Sequence, residues 1–341
     1  MKPTGTLVLS RRDVASLLTI EECTSAVERV FKMYGEGETS PPGVLGVHAQ
    51  DGGFHIKAGI LTLDRPYFAA KINANFPLNP KRVGLPTIQG VIALHDAENG
   101  YPLALMDSIE ITIQRTGAAT AVAAKYLARP ESETLTICGC GNQGRVSLRA
   151  LRNLFSFKEV FAYDLDEVQA QKFAQGLSGE TAAKVTTVSE LETAVNKSDV
   201  IVTCTPAKQF FLKAAWVRPG TFITAVGADS EDKQELEPAL LSRSKVVVDI
   251  VEQAASIGEL HHSIEANLMT RAGVHAELGE VVAGRKPGRS TSEEITIFDS
   301  TGMALQDVIV AAAVYEKALA DRVGQLIDFG GENNVNRVSA A

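Results

Sequence analysis

The chain has 341 residues, 45% hydrophobic and 22% charged, with a formal net charge of −8. That length allows two domains with a sizeable core, and an acidic balance without any basic run argues against a nucleic-acid partner. No apolar stretch is long enough to span a membrane, and the N-terminus lacks the long apolar region of a secretory signal. The cysteines Cys23, Cys138, Cys140 and Cys204 show no disulfide framework, so reduced thiols and a cytoplasmic location are expected.

Leu7 to Ser10 reads as a short strand, and Ser10-Arg11-Arg12-Asp13 resembles a capping box that opens a helix. Ala26 to Tyr34 continues a second, amphipathic helix, which Ser40-Pro41-Pro42-Gly43 ends. An antiparallel sheet follows. Val44 to Gln50 and Gly53 to Ala58 flank Asp51-Gly52, a hairpin signal; then come Tyr67 to Asn75, Thr87 to His95 and Tyr101 to Met106. His55 and Lys57 share one strand face, and Lys71, Asn73 and Asn75 share another. An isolated lysine there would be a solvated sheet residue. Two lysines, a histidine and two asparagines on adjoining strands also suit an anion-binding site. Ser108 to Leu127 is a long helix with Arg115 beside the small residues Thr116-Gly117-Ala118-Ala119.

The stretch Thr134 to Asp164 is the most informative. Thr134 to Cys138 is a buried strand, and Gly139, Gly141 and Gly144 follow at G-x-G-x-x-G spacing. The first glycine permits a tight turn, the second a close approach to a pyrophosphate, the third close helix–strand packing. Val146 to Leu154 reads as the helix whose N-terminus faces the phosphates. Glu159 to Tyr163 is the next strand and ends at Asp164, roughly 20 residues on, where a carboxylate takes the ribose hydroxyls of adenosine. Asp164 would repel a 2′-phosphate and no Arg or Lys directly follows it, so NADH is favoured over NADPH. Strand and helix then alternate through Lys184 to Val188, Val200 to Thr205, Thr221 to Val226, Ser244 to Asp249 and Ile295 to Ser300. This implies a doubly wound parallel sheet.

Asp229 sits just past a strand's carboxyl end, where it could face the nicotinamide or serve as a turn or N-cap aspartate. No metal site is expected: Cys138 and Cys140 lack C-x-x-C spacing, and the neighbours His261 and His262 should point apart on a helix. Thr301 to Asp307 opens a last helix to Ala320, and the tail Gly330 to Ala341 is expected to be disordered.

KINANFPLNP (Lys71 to Pro80), GLPTIQG (Gly84 to Gly90), RTGAATAVAAKYLA (Arg115 to Ala128), CGCGNQG, AYDLD, AVGADSEDKQEL (Ala225 to Leu236), AELGEVVAG (Ala276 to Gly284) and FDSTG (Phe298 to Gly302) follow one another in order. In these segments the chain resembles the ornithine cyclodeaminase / mu-crystallin family over nearly its whole length. The resemblance implies an α/β fold in which a Rossmann domain (115–315) is joined to an α+β substrate-binding and dimerisation domain built from both chain ends (1–114 and 316–341). It implies a homodimer that acts with NAD(P) on the Cα–N bond of amino or imino acids. It further implies that Lys71 and Arg115 hold the substrate carboxylate, that Asp229 is the catalytic carboxylate and Lys71 a second catalytic residue, and that Thr301 lies near the substrate. The implied cofactor contacts are Thr87, Arg115, Thr116, Gly139, Gly141, Asn142, Gln143, Gly144, Asp164, Thr205, Val226, Lys233 and Ser300. One departure matters. Cyclodeaminases carry an arginine on the first sheet strand, and Pro42-Gly43-Val44-Leu45-Gly46 has none. Lys57 is the candidate replacement for substrate binding. The HIKAG, YFAAKINANFP and GLPTIQG segments are closer to the branch that reduces cyclic ketimines such as Δ1-pyrroline-2-carboxylate to an L-amino acid such as L-proline. The alternatives are cyclodeamination of L-ornithine, an acyclic alanine-type or iminosuccinate-type dehydrogenase, and a non-enzymatic binding protein like mu-crystallin.

Overall fold

In the computed structural model, residues 5–177 and 179–329 are described. The expectation of a disordered tail at Gly330 to Ala341 lies outside the described residues. The strands, in chain order, are β1 (Thr6–Leu9), β2 (Gly43–Ala49), β3 (Gly52–Thr62), β4 (Pro66–Asn75), β5 (Ile88–Asp96), β6 (Pro102–Asp107), β7 (Thr134–Cys138), β8 (Glu159–Tyr163), β9 (Lys184–Thr187), β10 (Val200–Thr203), β11 (Lys208–Leu212), β12 (Phe222–Ala225), β13 (Gln234–Leu236), β14 (Lys245–Val248), β15 (Ala276–Glu277), β16 (Thr296–Asp299) and β17 (Gln325–Ile327). The chain divides into two compact units.

Unit 1 takes residues up to Ala26, Thr39–Arg115 and those from Met303 on. Its sheet has the order β17-β1-β6-β5-β4-β3-β2. All its pairs are antiparallel except β1 with β6. The β2–β3 turn falls one residue earlier than Asp51-Gly52: Ala49 pairs with Gly52, and Asp51 adopts φ 64°, a left-handed conformation that Asp tolerates in a tight hairpin. Alternation gives the sheet two distinct faces. Lys57, Gly59 and Leu61 of β3, Tyr67, Ala69 and Lys71 of β4, and Ile92 and Leu94 of β5 are buried. The helix Ala304–Asp321 covers that face, packing on β3, β4 and β5. Gly59 permits its approach, since a Cβ there would lie 2.7 Å from Leu305 Cδ2. This packing returns the chain to unit 1 at Met303, ahead of the expected 316.

Unit 2 is Val27–Glu38 with Thr116–Gly302. Residues 27–38, expected in the first domain, group here because their side chains pack here; the Phe31 and Phe298 rings meet edge to face at 6.5 Å. The main sheet has the order β15-β14-β16-β12-β10-β7-β8-β9 and is parallel throughout. Order runs outward from β7 to β8 and β9 on one side and to β10 and β12 on the other, which makes the β7/β10 boundary the switch point. The late strand β16 enters between β12 and β14. β10 and β12 are buried at every residue, as parallel strands covered on both faces must be. A small parallel pair, β11 with β13, lies outside this sheet and was not legible in the sequence.

Candidate active site

Each unit carries candidate site residues. In unit 1, Lys57 and Lys71 are direct cross-strand partners on β3 and β4. They are 8% and 3% exposed, and Arg115 is 7% exposed. The register places both lysines under the helix Ala304–Asp321, which supplies the anion they face. Lys71 Nζ lies 2.6 Å from Asp307 Oδ2, and Arg115 Nε lies 3.5 Å from Asp307 Oδ1. Arg115 Nη1 also donates to Gln306 Oε1 at 3.1 Å. Burial, aided by the charges of Arg115 and Lys57, pulls Lys71 down to about 7 despite Asp307. Burial pushes the Asp307 carboxyl up, but Lys71 and Arg115 outweigh it and hold the group below its ordinary value. Two buried cations sharing one carboxylate leave positive charge over, and a low-dielectric interior makes that charge a strong attractor for a second carboxylate. Asp307 was not singled out from the sequence. Its signal was a lone acid in the apolar run Met303 to Tyr315, which in a buried helix demands a cationic partner. Of the other polar residues on these strands, Asn73 accepts from Ser108 Oγ at 2.6 Å. Thr87, half-buried, precedes β5 and its carbonyl accepts from Phe76 N at 2.8 Å.

In unit 2 the glycine motif forms a cradle. Gly139 turns the chain after β7 with φ 103°, and a Cβ on it would lie 2.7 Å from Cys204 O. A Cβ on Gly144 would collide with Gly139 O, whereas nothing lies within 4 Å of one on Gly141. The following helix is Asn142–Leu151, so it begins before the expected Val146. The reason is Gly141, whose extended backbone (φ −90°, ψ −158°) makes it the N-cap while no side chain caps the first turn. Asn142, Gln143 and Gly144 therefore form that first turn, with backbone N–H groups suited to an anion. Asp164 is fixed beyond β8: Oδ2 accepts from Cys140 N at 2.8 Å and Oδ1 from Asp166 N at 3.0 Å. It borders a cleft of about 230 Å³ with Glu167, Gln171 and Ser189.

The remaining expected residues lie along the carboxyl edge of the same sheet or beside it. Val226 N donates to Thr203 O and Ser300 N to Ala225 O, both at 2.9 Å. The buried Ser300 Oγ has no hydrogen-bond partner among the described residues. Thr301 Oγ1 donates to Asp249 Oδ1 at 2.7 Å and accepts from Gln253 Nε2 at 2.8 Å. Thr205 bonds to Glu235 through both its backbone N and its hydroxyl. Asp229 has a side chain 54% exposed and pairs with Lys233 Nζ at 2.5 Å, so the acid and the lysine expected at the cofactor face each other. Thr116 is buried beside Gly117, where a Cβ would lie 2.8 Å from Val146 Cγ2. The open glycine cradle, the uncapped helix, the fixed carboxylate and the orphaned Ser300 hydroxyl fit a dinucleotide. His261 and His262 do not point apart as expected. Their rings meet at 5.1 Å, with ligand atoms of His261, His262 and Glu265 all within 4.8 Å of one another. Both rings already have polar neighbours: His262 Nε2 lies 2.8 Å from Lys233 O and His261 Nε2 lies 3.4 Å from Glu265 Oε1.

Residues 4–322 match the ornithine cyclodeaminase/mu-crystallin family. The chain is 42% identical to the alanine dehydrogenase of Archaeoglobus fulgidus over 329 residues, 95% of this chain and 98% of that one. It is similar to a solved archaeal alanine dehydrogenase dimer with bound NAD (TM-score 0.91, 41% identity, 96% of this chain and 100% of that). It is also similar to the Δ1-pyrroline-2-carboxylate reductase of Thermococcus litoralis, solved with NADH and L-proline (TM-score 0.89, 35% identity, 94% of this chain and 100% of that).

Proposed function

The chain belongs to the ornithine cyclodeaminase/mu-crystallin family, and we propose that it is an NAD-dependent reductase acting on the C=N bond of a small 2-imino acid to form the L-amino acid. The observation that carries this reading is the buried Lys71–Asp307–Arg115 cluster, a polar interior site with cationic charge to spare. Lys71 and Arg115, with Lys57 opposite Lys71, take the substrate carboxylate through charge-assisted hydrogen bonds. Gly139, Gly141, Asn142, Gln143 and Asp164 would hold a dinucleotide in unit 2, and its nicotinamide would supply hydride for the imine carbon. Asp229, as carboxylate, stabilises the protonated imine nitrogen, and a carboxyl group there can hold or return the proton as the nitrogen becomes an amine. A lysine poised near neutrality, as Lys71 is, can also move a proton. The carboxylate of Asp164 disfavours a 2′-phosphate, so NADH is the working cofactor.

The substrate proposed is cyclic, of the Δ1-pyrroline-2-carboxylate or Δ1-piperideine-2-carboxylate type, giving a proline-type product. The likeness to the reductase solved with L-proline supports it. Lys57 supports it too, since it stands beside Lys71 where the first-strand arginine of cyclodeaminases is missing. A second reading, alanine dehydrogenase, is favoured by the 42% identity to the A. fulgidus protein. Retention of Lys71, Arg115 and Asp229 together argues against a purely binding role. The protein is proposed to be a homodimer, in line with the archaeal dimer it resembles. The four cysteines are free thiols, which suits a cytoplasmic setting, and no helix among the described residues is long and apolar enough to cross a membrane. The test is NADH oxidation with the two cyclic imino acids, pyruvate plus ammonia, and iminosuccinate, with ammonia release from L-ornithine followed in parallel. Highest kcat/KM with a cyclic imino acid is expected. Preference for pyruvate plus ammonia would establish the second reading instead, and ammonia release from ornithine would establish cyclodeamination.

A further inference from the structure

We infer that Glu235 is a positioning residue, a single buried carboxylate that ties the loop after β10 to the loop after β12 and so fixes the nicotinamide half of the cofactor site; this rests on the dinucleotide reading of unit 2. Glu235 lies on β13 and is fully buried. Its Oε1 accepts from Thr205 N at 2.6 Å and from Thr205 Oγ1 at 2.8 Å, and its Oε2 accepts from Gly227 N at 3.1 Å. The loops are drawn so close that a Cβ on Gly227 would lie 2.5 Å from both Glu235 Oε2 and Thr205 O. Thr205 and Val226, both expected at the cofactor, and Asp229, the proposed acid, stand on these two loops.

Glu235 is itself anchored. Its backbone N donates to Glu259 Oε1 at 2.7 Å, and Leu236 N donates to Glu259 Oε2 at 3.1 Å. The helix that carries Glu259, Glu259–Glu265, is held in turn by Asp299 at the end of β16, whose Oδ2 accepts from Leu260 N at 2.9 Å. Three buried carboxylates thus connect the carboxyl ends of β10, β12 and β16. Burial pushes all three carboxyls up, and Glu235 and Asp299 push Glu259 further. Interior acids are costly, and an apolar edge would be cheaper for folding alone. Their donors are loop amides on the edge where open α/β sheets bind ligands. In such sheets the half from β7 to β9 takes one nucleotide and the half beginning at β10 takes the other, so Glu235 acts on the nicotinamide side and not on the adenosine side.

Every identified donor to Glu235 is an N–H or O–H, so Glu235→Gln sets an amide N–H against one of them and releases a loop. The test titrates NADH and ADP-ribose, which lacks only the nicotinamide, into wild type and variant, and measures kcat with the preferred imino acid. The expected result is unchanged ADP-ribose affinity, NADH affinity reduced toward that of ADP-ribose, and kcat lowered by about 10²-fold, the scale of an ångström's misplacement of reacting groups. Wild-type NADH affinity and kcat, or loss of both ligands together, would overturn the inference. If Glu235→Gln does not fold, Thr205→Val removes one donor with little change of shape. It should show the same selective loss to a smaller degree, and an unaltered NADH to ADP-ribose ratio would overturn the inference. Failure of the imino-acid reading shows differently, as wild-type binding without turnover, and failure of the dinucleotide reading as wild type binding neither ligand.

Discussion

At the scale of single residues, the proposed chemistry rests on charge. Lys57, Lys71 and Arg115 were candidates in the sequence because they are cations on adjoining strands and a small-residue helix, and all three are buried, with Lys57 opposite Lys71. Asp307 was not, because its partners lie more than 190 positions away in sequence, on β4 and in the helix Ser108–Leu127. Lys71→Met and Arg115→Met should each lower kcat/KM for the imino acid by an amount on the order of 2–4 kcal/mol, the cost of a lost charge-assisted contact. Little change in either variant would move the carboxylate site elsewhere. Lys71 falls to about 7 in the folded chain, so its positive charge is present below that pH and lost above it. Affinity for a carboxylate analogue that does not titrate in this range, such as pyrrole-2-carboxylate, should therefore weaken as pH rises through neutrality, and the step should vanish in Lys71→Met. Asp229→Asn keeps the shape and loses the acid. It should bind NADH normally and lose roughly 10²–10⁴-fold in turnover, as read by fluorescence titration beside steady-state rates; near-wild-type turnover would reduce Asp229 to a turn residue.

At the scale of elements, the buried strands and the glycine motif could be read directly, since β10 and β12 are short runs of apolar and β-branched residues, broken only by Thr203 and Thr224, and Gly139, Gly141 and Gly144 keep their spacing. Strand order could not. Nothing local places β16 between β12 and β14, or pairs β17 with β1 from opposite chain ends. The helix start was misplaced because Gly141 is an N-cap with no side chain to announce it. The glycines yield a differential prediction. Gly141→Ala projects into open space and should cost at most about 1 kcal/mol of stability, the loss of a good N-cap, while weakening NADH binding. Gly144→Ala meets the Gly139 carbonyl and should cost about 1–3 kcal/mol of stability, the usual penalty for overpacking. Thermal melts with and without NADH separate the two, and equal loss of stability in both would refute the cradle.

At the scale of the whole molecule, one face of the unit 1 sheet is packed by the helix Ala304–Asp321, and the other carries apolar residues that are exposed or half-buried among the described residues. Leu45, Ile56, Ile72 and Val91 are successive cross-strand partners over β2, β3, β4 and β5, and Leu45, Ile72 and Val91 are exposed. A continuous apolar row of this kind is the surface expected to pair in the proposed dimer. Ile72→Glu should convert a micromolar dimer to monomer in sedimentation, and a monomeric wild type would exclude the dimer. The sequence implied the homodimer only through resemblance, because alternation reveals that a strand has two faces and not what covers each. The central claim is reduction of a C=N bond at a carboxylate-bearing carbon. Its most direct measurement mixes the protein with NADH and Δ1-pyrroline-2-carboxylate and follows NADH loss together with the product by chiral chromatography. The account predicts one L-proline formed per NADH consumed, and NADH left unoxidised with every imino acid of the panel, or consumed without any L-amino acid appearing, would contradict it.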